Sequence, residues 1–314
     1  MRHETTKVCC RERKGMVIEV IRSRDKLVTD DHGKEISEER VSAFNLTAND
    51  GDIQKYAMGY IPSHWHKELE FFVLSEGCVQ IRAEGRTYEL TAGEGCFINS
   101  EVINSFLAGS ENSCHFRSFV FGAEVIGGMP GTVFDTEYVR PLLKEGVPFL
   151  RFQKEDRRYF EEFDRAFAAC ISEKEGYEFE VRNALSNILL FIRTKSGSQI
   201  RTIAPAQEMH LKNMLLWIED HLSSNICVVE IAKSANICTR ECQRIFNRYL
   251  HDSPIEYVLK KRIFHAAELL SYTDKSITEI AFCCGFSSPS YFSKRFREWI
   301  GHSPNEYRKI QKGD

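Results

Sequence analysis

The residues with the greatest chemical capacity lie near the C-terminus. Thr239–Leu250 carries Arg240, Arg244 and Arg248 against a single acid, Glu241. Arg240, Gln243 and Arg244 are spaced i, i+3, i+4, so a helix places them on one face. A guanidinium pairs bidentately with the edge of guanine, and a carboxamide does the same with adenine. A second helical stretch offers Ser290, Ser293, Lys294 and Arg297 on its polar side, with Tyr291, Phe292, Phe296 and Ile300 expected to face inward. Both patterns suit entry into a nucleic-acid groove. A third group is different in kind: His64, His66 and Glu70 form a His-His-carboxylate set of the sort that holds a divalent metal.

The elements that position the basic residues are marked by their caps. Ser253-Pro254 and Ser303-Pro304 each place a capping Ser before a Pro in the first helical turn. Between them the spacing predicts a helix from Pro254 to about Leu270, a short helix over 277–283, and a third helix from Pro289 to about Ile300. Ser276 caps the short helix, with Glu279 three residues on, and Gly285 ends it. A short helix, a tight turn and a longer helix outline a helix-turn-helix. The unit occurs twice: Val228–Ser234, the turn Ala235-Asn236-Ile237 and Thr239–Leu250 form the upstream copy. Ile245-Phe246 corresponds to Arg295-Phe296, and Ser253-Pro254 to Ser303-Pro304. The joining helix, about 26 Å long at 1.5 Å per residue, suits two successive major grooves.

The stretch from about Leu211 to Lys309 resembles the DNA-binding domain of the AraC/XylS family of bacterial transcription regulators. The matching residues are Ser253-Pro254-x-x-Tyr257, Arg262, Ala266, Leu269-Leu270, Ser276-Ile277-x-Glu279-Ile280-Ala281, Gly285-Phe286, Ser290-Tyr291-Phe292, Phe296, Gly301, Ser303-Pro304 and Tyr307-Arg308. The resemblance implies double-stranded promoter DNA as a partner, recruitment of RNA polymerase, activation more than repression, and a homodimer. It implies base reading through Arg240, Gln243 and Arg244 in the first unit, and contacts through Ser288, Ser290, Ser293 and Lys294 in the second. Pro289 lacks a donor at a position the family often uses for contact. Arg248 and Arg297, further along their helices, are expected at phosphates.

Length and composition agree with a multidomain regulator. The chain has 314 residues, 42% hydrophobic and 28% charged, as in ordinary globular proteins. Its net charge is −3, yet from Gln207 onward 15 Lys and Arg stand against 13 Asp and Glu. The charged N-terminus lacks a signal-peptide core, and no apolar run is long enough to span a bilayer. A cytoplasmic protein without membrane contact is expected. The 11 cysteines show no C-x-x-C spacing. Cys242, Cys283 and Cys284 read as buried small apolar residues, and Cys9 or Cys10 as a conceivable thiol sensor.

The first half reads as short strands between turns, over 70–74, 79–83, 87–90, 96–99 and 115–121, which suggests a barrel or jelly roll. Here His64-Trp65-His66-x3-Glu70-x6-Gly77 looks like the first cupin motif. In metal cupins a second motif adds a histidine, but Asn104 stands at that place. The resemblance therefore implies an effector pocket, with His64, Trp65, His66, Glu70 and Asn104 around a small molecule such as a sugar, and no metal, no cofactor and no catalysis. The alternative is a metal-dependent cupin enzyme fused to a DNA-binding domain. Trp65 and Tyr60 could stack on a sugar ring, whereas Phe72 and Phe97 read as core.

After Phe121 the strand pattern stops. Residues 133–143 look helical with an interruption at Pro141. Residues 156–172 and 178–194 form two amphipathic helices, whose stripes include Phe163, Phe167, Leu185 and Leu189. Those stripes pack on the barrel, form a dimer interface, or do both. Residues 195–205, rich in Gly, Ser and polar residues, read as a linker. The expected fold class is α+β and multidomain: an arm over 1–40, a cupin-like β-barrel over 41–125, a helical hairpin region over 126–195, a linker over 196–206, and an all-α double helix-turn-helix over 207–314.

Overall fold

The structure, a computed structural model, describes residues 44–110, 113–197 and 206–312, together with the backbone of three short strands, β1 (Glu12–Arg13), β2 (Met16–Val17) and β3 (Ile21–Ser23). Most of the expected arm, Cys9 and Cys10 included, and most of the expected linker lie outside the described residues. β4 (Leu46–Asp52), β5 (Tyr60–His64), β6 (Leu69–Leu74), β7 (Cys78–Ala83), β8 (Arg86–Thr91), β9 (Gly95–Ile98), β10 (Asn104–Ala108), β11 (His115–Phe121) and β12 (Phe149–Phe152) build two sheets. Their orders are β5-β10-β7-β8 and β12-β9-β6-β11-β4-β3. All pairings are antiparallel except β3 with β4.

The two faces of the larger sheet do different work. In β6 every residue is buried. Side chains alternate along a strand, so Phe71 and Val73 join one core cluster while Phe72 and Leu74 join another. The second cluster fills the space between the sheets, where Phe72 stacks on Phe106 of the opposite sheet at 5.1 Å. The first cluster lies under α3 (Arg157–Ser172) and α4 (Tyr177–Ser196), an antiparallel hairpin on the outer face. Phe163 meets Phe119 at 5.0 Å, and the Tyr159 hydroxyl donates to the carbonyls of Phe72 and Cys96 at 3.0 Å.

The expectation of a dimer interface on Phe163, Phe167, Leu185 and Leu189 is corrected here. All four are buried against the sheet. Full burial of such a side chain contributes about 1.5–3 kcal/mol, so a charge placed there unfolds the domain before it separates subunits. Ahead of the hairpin come α1 (Glu124–Gly127) and a π-helical segment, Phe134–Val139, which runs into α2 (Arg140–Glu145). Pro141 lies where the π-helical segment passes into α2; having no N–H it leaves the preceding turn short of a donor, and the Glu137 carbonyl four residues back accepts from Arg193 instead.

The C-terminal part is all helical: α5 (Ala206–Asp220), α6 (Val228–Ser234), α7 (Thr239–Leu250), α8 (Pro254–Tyr272), α9 (Ile277–Cys283), α10 (Pro289–Ile300) and α11 (Pro304–Lys312). Ser253 and Ser276 accept the expected capping bonds from the Glu256 and Glu279 N–H groups, and Ser288 accepts a further one from the Tyr291 N–H. Arg262 is buried in α8 and donates to the Leu222 and Ser224 carbonyls beyond α5, so its family position serves packing. Burial holds its guanidinium below the usual arginine range.

Candidate nucleic-acid interface and effector pocket

Two helix-turn-helix units superpose in sequence once their hydrogen bonds are matched. After α6 the Ile237 N–H donates to the Ala232 carbonyl at 3.1 Å, and after α9 the Phe286 N–H donates to the Ala281 carbonyl at 3.0 Å. The turn residue with positive φ is Asn236 (55°) in the first unit and Gly285 (77°) in the second. Phe246 and Phe296, both fully buried, then anchor the second helices. α8, with 19 residues, spans about 28 Å between the units.

Each second helix presents one outward stripe. Arg240, Gln243, Arg244 and Asn247 are exposed on α7 at i, i+3, i+4, i+7. Ser290, Ser293, Lys294 and Arg297 occupy the equivalent positions on α10, with Ser293 half-buried. Asn247 is the residue that sequence reasoning missed; its signal is its match to Arg297. Arg248 stands off the stripe. Its Nη1 donates to Gln207 Oε1 at 3.0 Å, and its guanidinium lies over the Tyr249 ring at 5.5 Å. Ser288 is the N-cap, with its hydroxyl accepting from the Tyr291 N–H at 3.2 Å. Tyr291, expected to face inward, is 42% exposed because Phe292 takes the packing position. Arg295 instead ties α10 to α8 through Glu256 at 2.8 Å.

Charge on the first stripe is partly masked. Arg244 bonds Glu241 through Nε at 2.8 Å and Nη2 at 2.6 Å. That bond holds the Glu241 carboxyl below its ordinary range. Lys294 meets Glu298 only at 3.9 Å.

In the barrel, His64 and Asn104 face each other across the β5–β10 ladder, and a register shift follows directly. The His64 ring lies 6.0 Å from His66 and 6.4 Å from Phe106, a member of the interior cluster. Glu70 shares strand parity with Phe72 and Leu74, and so faces inward. All four polar residues are buried. His64 and His66 each turn Nδ1 to a backbone carbonyl, of Pro62 at 2.8 Å and of Glu68 at 3.0 Å. A carbonyl only accepts, so each Nδ1 carries a proton, and in a neutral imidazole Nε2 is then an acceptor. His66 Nε2 has no hydrogen-bond partner, and neither has Asn104 Oδ1. Glu70 Oε2 lies 3.5 Å from His66 Nε2. Asn49 and Ser118, bonded at 3.0 Å, add a second buried polar pair from β4 and β11.

Among the described residues no three His, Cys, Asp or Glu groups gather as metal ligands. Asn104 stands where the cupin metal centre has a histidine, and an amide oxygen is a poorer transition-metal ligand than an imidazole; the Nδ1–carbonyl bonds are of the kind that also orient metal-ligating histidines. Trp65 is not in the pocket. It lies in the core cluster of the first helix-turn-helix unit, which corrects the expectation that it stacks on a bound ring. Tyr60 also leaves the pocket, its ring 5.5 Å from Phe264 of α8. Cys242 and Cys284 are buried as expected, with burial pushing their thiols up to about 11 and about 12, whereas Cys283 is exposed.

Comparison with known proteins agrees with both halves. An AraC-like ligand binding domain matches residues 50–189, and a helix-turn-helix domain matches residues 231–310. The transcriptional regulator YdeC of Bacillus subtilis (strain 168), itself uncharacterized, is 26% identical over 90% of this chain and 98% of its own length. The transcriptional activator RhaS of Klebsiella pneumoniae (strain 342) is 25% identical over 79% of this chain and 87% of its own. A solved AraC-type DNA-binding domain from Chromobacterium violaceum is 31% identical and covers 33% of this chain and 93% of its own, with a TM-score of 0.32. A ligand-binding domain followed by a DNA-binding double helix-turn-helix defines a ligand-responsive transcription regulator. This chain belongs to the AraC family of such regulators. Among the described residues no helix is long and apolar enough to cross a membrane.

Proposed function

We propose that this chain is a cytoplasmic, non-enzymatic activator that binds promoter DNA as a homodimer, recruits RNA polymerase and responds to a small molecule held in the barrel. The observation that carries the DNA reading is the pair of equivalent outward stripes, 240/243/244/247 and 290/293/294/297, joined by one continuous helix. Arg240, Gln243 and Arg244 read bases, Ser290, Ser293 and Lys294 read the next groove, and Arg297 meets phosphate. The test is selection of binding sites from a randomised duplex pool. Arg244→Ala costs about 1–3 kcal/mol and relaxes preference at one base pair. Equal weakening on all duplexes would show that Arg244 does not read a base.

The effector is a hydrogen-bond donor. His66 Nε2, Asn104 Oδ1 and the Glu70 carboxylate are acceptors turned to the barrel interior, and buried acceptors are costly when unpaired. Sugar hydroxyls meet that need. A thermal-shift screen of monosaccharides tests it; a stabilising sugar should lose its effect on Asn104→Leu, and a shift retained by that variant places the sugar elsewhere. The homodimer face is the exposed side of the hairpin, Phe179 and Leu190 with Ile171. Phe179→Asp with Leu190→Asp yields monomer of unchanged stability in sedimentation, and a persisting dimer assigns the interface to another surface.

A further inference from the structure

The pocket residues alternate along the chain with residues that belong to the other domain. Trp65 lies between His64 and His66, and Ile103 between Val102 and Asn104. Trp65 and Ile103 are each only 7% exposed, and both join the buried cluster that contains Leu211, Met214, Ile231 and Phe246 of the first helix-turn-helix unit. Val102 and Phe106 belong instead to the barrel interior. The second helix-turn-helix unit has a core cluster drawn from its own helices.

Polar ties surround this wedge. Glu101 donates its N–H to the His66 carbonyl at 2.8 Å and pairs through its carboxylate with Lys212 of α5 at 3.0 Å. Arg82 of β7, whose strand partner is Ser105, donates to the Leu250 carbonyl at 3.2 Å, at the C-terminal end of α7. The β7–β8 turn at Gly85 lies so close to Arg248 that an added Cβ would sit 3.0 Å from its carbonyl oxygen.

We propose that Trp65 and Ile103 form a relay that couples the state of the barrel pocket to the position of the first helix-turn-helix unit. The relay takes its physiological input from the effector reading above, but its geometry stands without it. Neighbouring residues of an extended chain project to opposite sides. A shift of His64, His66 or Asn104 toward or away from a pocket occupant therefore moves Trp65 and Ile103 in the facing core. That core is close-packed and yields in discrete steps more readily than by smooth deformation. α7 is held in the same cluster, so its base-reading stripe moves with the wedge.

The test needs no effector. Affinity of the full chain for a fluorescein-labelled mixed-sequence duplex of about 30 base pairs, three helical turns, is measured by anisotropy in two crossed cycles. One combines Asn104→Ala with Trp65→Ala, the other His66→Ala with Ile103→Ala, so that no pair is adjacent in the chain. Each pocket substitution alone should change the apparent Kd about five-fold, the low end of allosteric couplings. In the wedge-truncated background the same substitution should change it by less than about two-fold. Equal changes in both backgrounds, or no change in the native background, overturn the relay. If Trp65→Ala does not fold, the Ile103→Ala cycle decides alone. Failure of the effector reading appears elsewhere, as the absence of any stabilising sugar, and leaves this result standing.

Discussion

The two helix-turn-helix units are one design executed with different residues. The second uses Gly285 and Gly301 where the backbone turns left-handed; the first uses Asn236 and His251 at the matching places. The second caps its short helix with Ser276, the first with Cys227. The second builds its core from its own helices, whereas the first takes in Trp65 and Ile103 from the barrel. The second unit thus closes its core with its own helices, though α10 also touches residues 57–59 beside the barrel, whereas the first takes barrel side chains into its core. The difference teaches where control enters: at the unit with the stronger base-reading side chains, Arg240, Gln243 and Arg244.

The largest expected effect lies at the two turns. At Gly285 a Cβ would stand 2.6 Å from the Leu222 carbonyl and 2.9 Å from the Arg262 guanidinium, at a φ of +77°. Both contacts are held in place by the Arg262–Leu222 hydrogen bond at 2.9 Å. Gly285→Ala should cost about 2–4 kcal/mol, read as a fall in the unfolding midpoint of the full chain. Asn236→Gly, at the matching turn, should be neutral or slightly stabilising, because a left-handed non-Gly residue gives way to one without a Cβ. Equal losses at the two turns would break the equivalence of the units.

A smaller effect separates the two stripes. Arg244 is held by two short bonds to Glu241, while Lys294 lies at the edge of ion-pair distance from Glu298. DNA must displace the first pairing to use Arg244. Glu241→Gln should therefore raise affinity about two- to five-fold at low salt, in line with the small worth of exposed pairs, and Glu298→Gln should raise it less. Titration of both variants across ionic strength checks this; a larger gain from Glu298→Gln would mean that the second unit carries the masked charge.

Legibility followed the chemistry of each region. The DNA-binding helices could be read almost to the residue, because Ser-Pro pairs, the Ser276–Glu279 box and Gly301 mark their ends by local hydrogen bonding. The barrel was read through its apolar strands, and four others were missed. β4 reads Leu-Thr-Ala-Asn-Asp-Gly-Asp, β5 contains Pro62, and β10 opens on Asn104-Ser105. The fourth, β12, is short and lies beyond the helical region that follows the main strands. Buried polar residues break the alternation that identifies a strand, so three of the segments that line the polar interior look like loops. Trp65 shows the other limit. Sequence places it beside two pocket histidines, but which side of the chain it faces is decided by the register shift near Asn104 and by packing from α5, neither of which is local. The same holds for Phe163 and Leu189, whose helical stripe is plain but whose partner is a sheet surface far away in the chain.

The smallest expected effect concerns the caps. Ser276 and Cys227 both sit in a reciprocal box in which the following Glu reaches back to the cap N–H, at 2.8 Å for Glu279 and 3.0 Å for Glu230. Bonds from the cap side chain and then its backbone N–H hold Glu279 below the ordinary carboxylate range, and the same order of causes holds for Glu230. A carboxyl lowered in the folded state stabilises above its unfolded value, near 4.3, and that contribution is lost as pH falls through the folded one. Both boxes should therefore weaken together on acidification below about pH 4. They should differ in their side-chain acceptors, because a thiol sulfur accepts more weakly than a hydroxyl oxygen. Cys227→Ser is expected to stabilise the chain by about 0.5 kcal/mol, whereas Ser276→Ala costs about 1 kcal/mol. Unfolding measured at neutral pH and again through the acid range sharpens the point. The Ser276→Ala difference should shrink as the pH falls through the lowered Glu279 value and the carboxylate is protonated. A difference that stays constant would assign the capping energy to the Ser276 hydroxyl alone, and the two units would then differ in one bond instead of in a coupled pair.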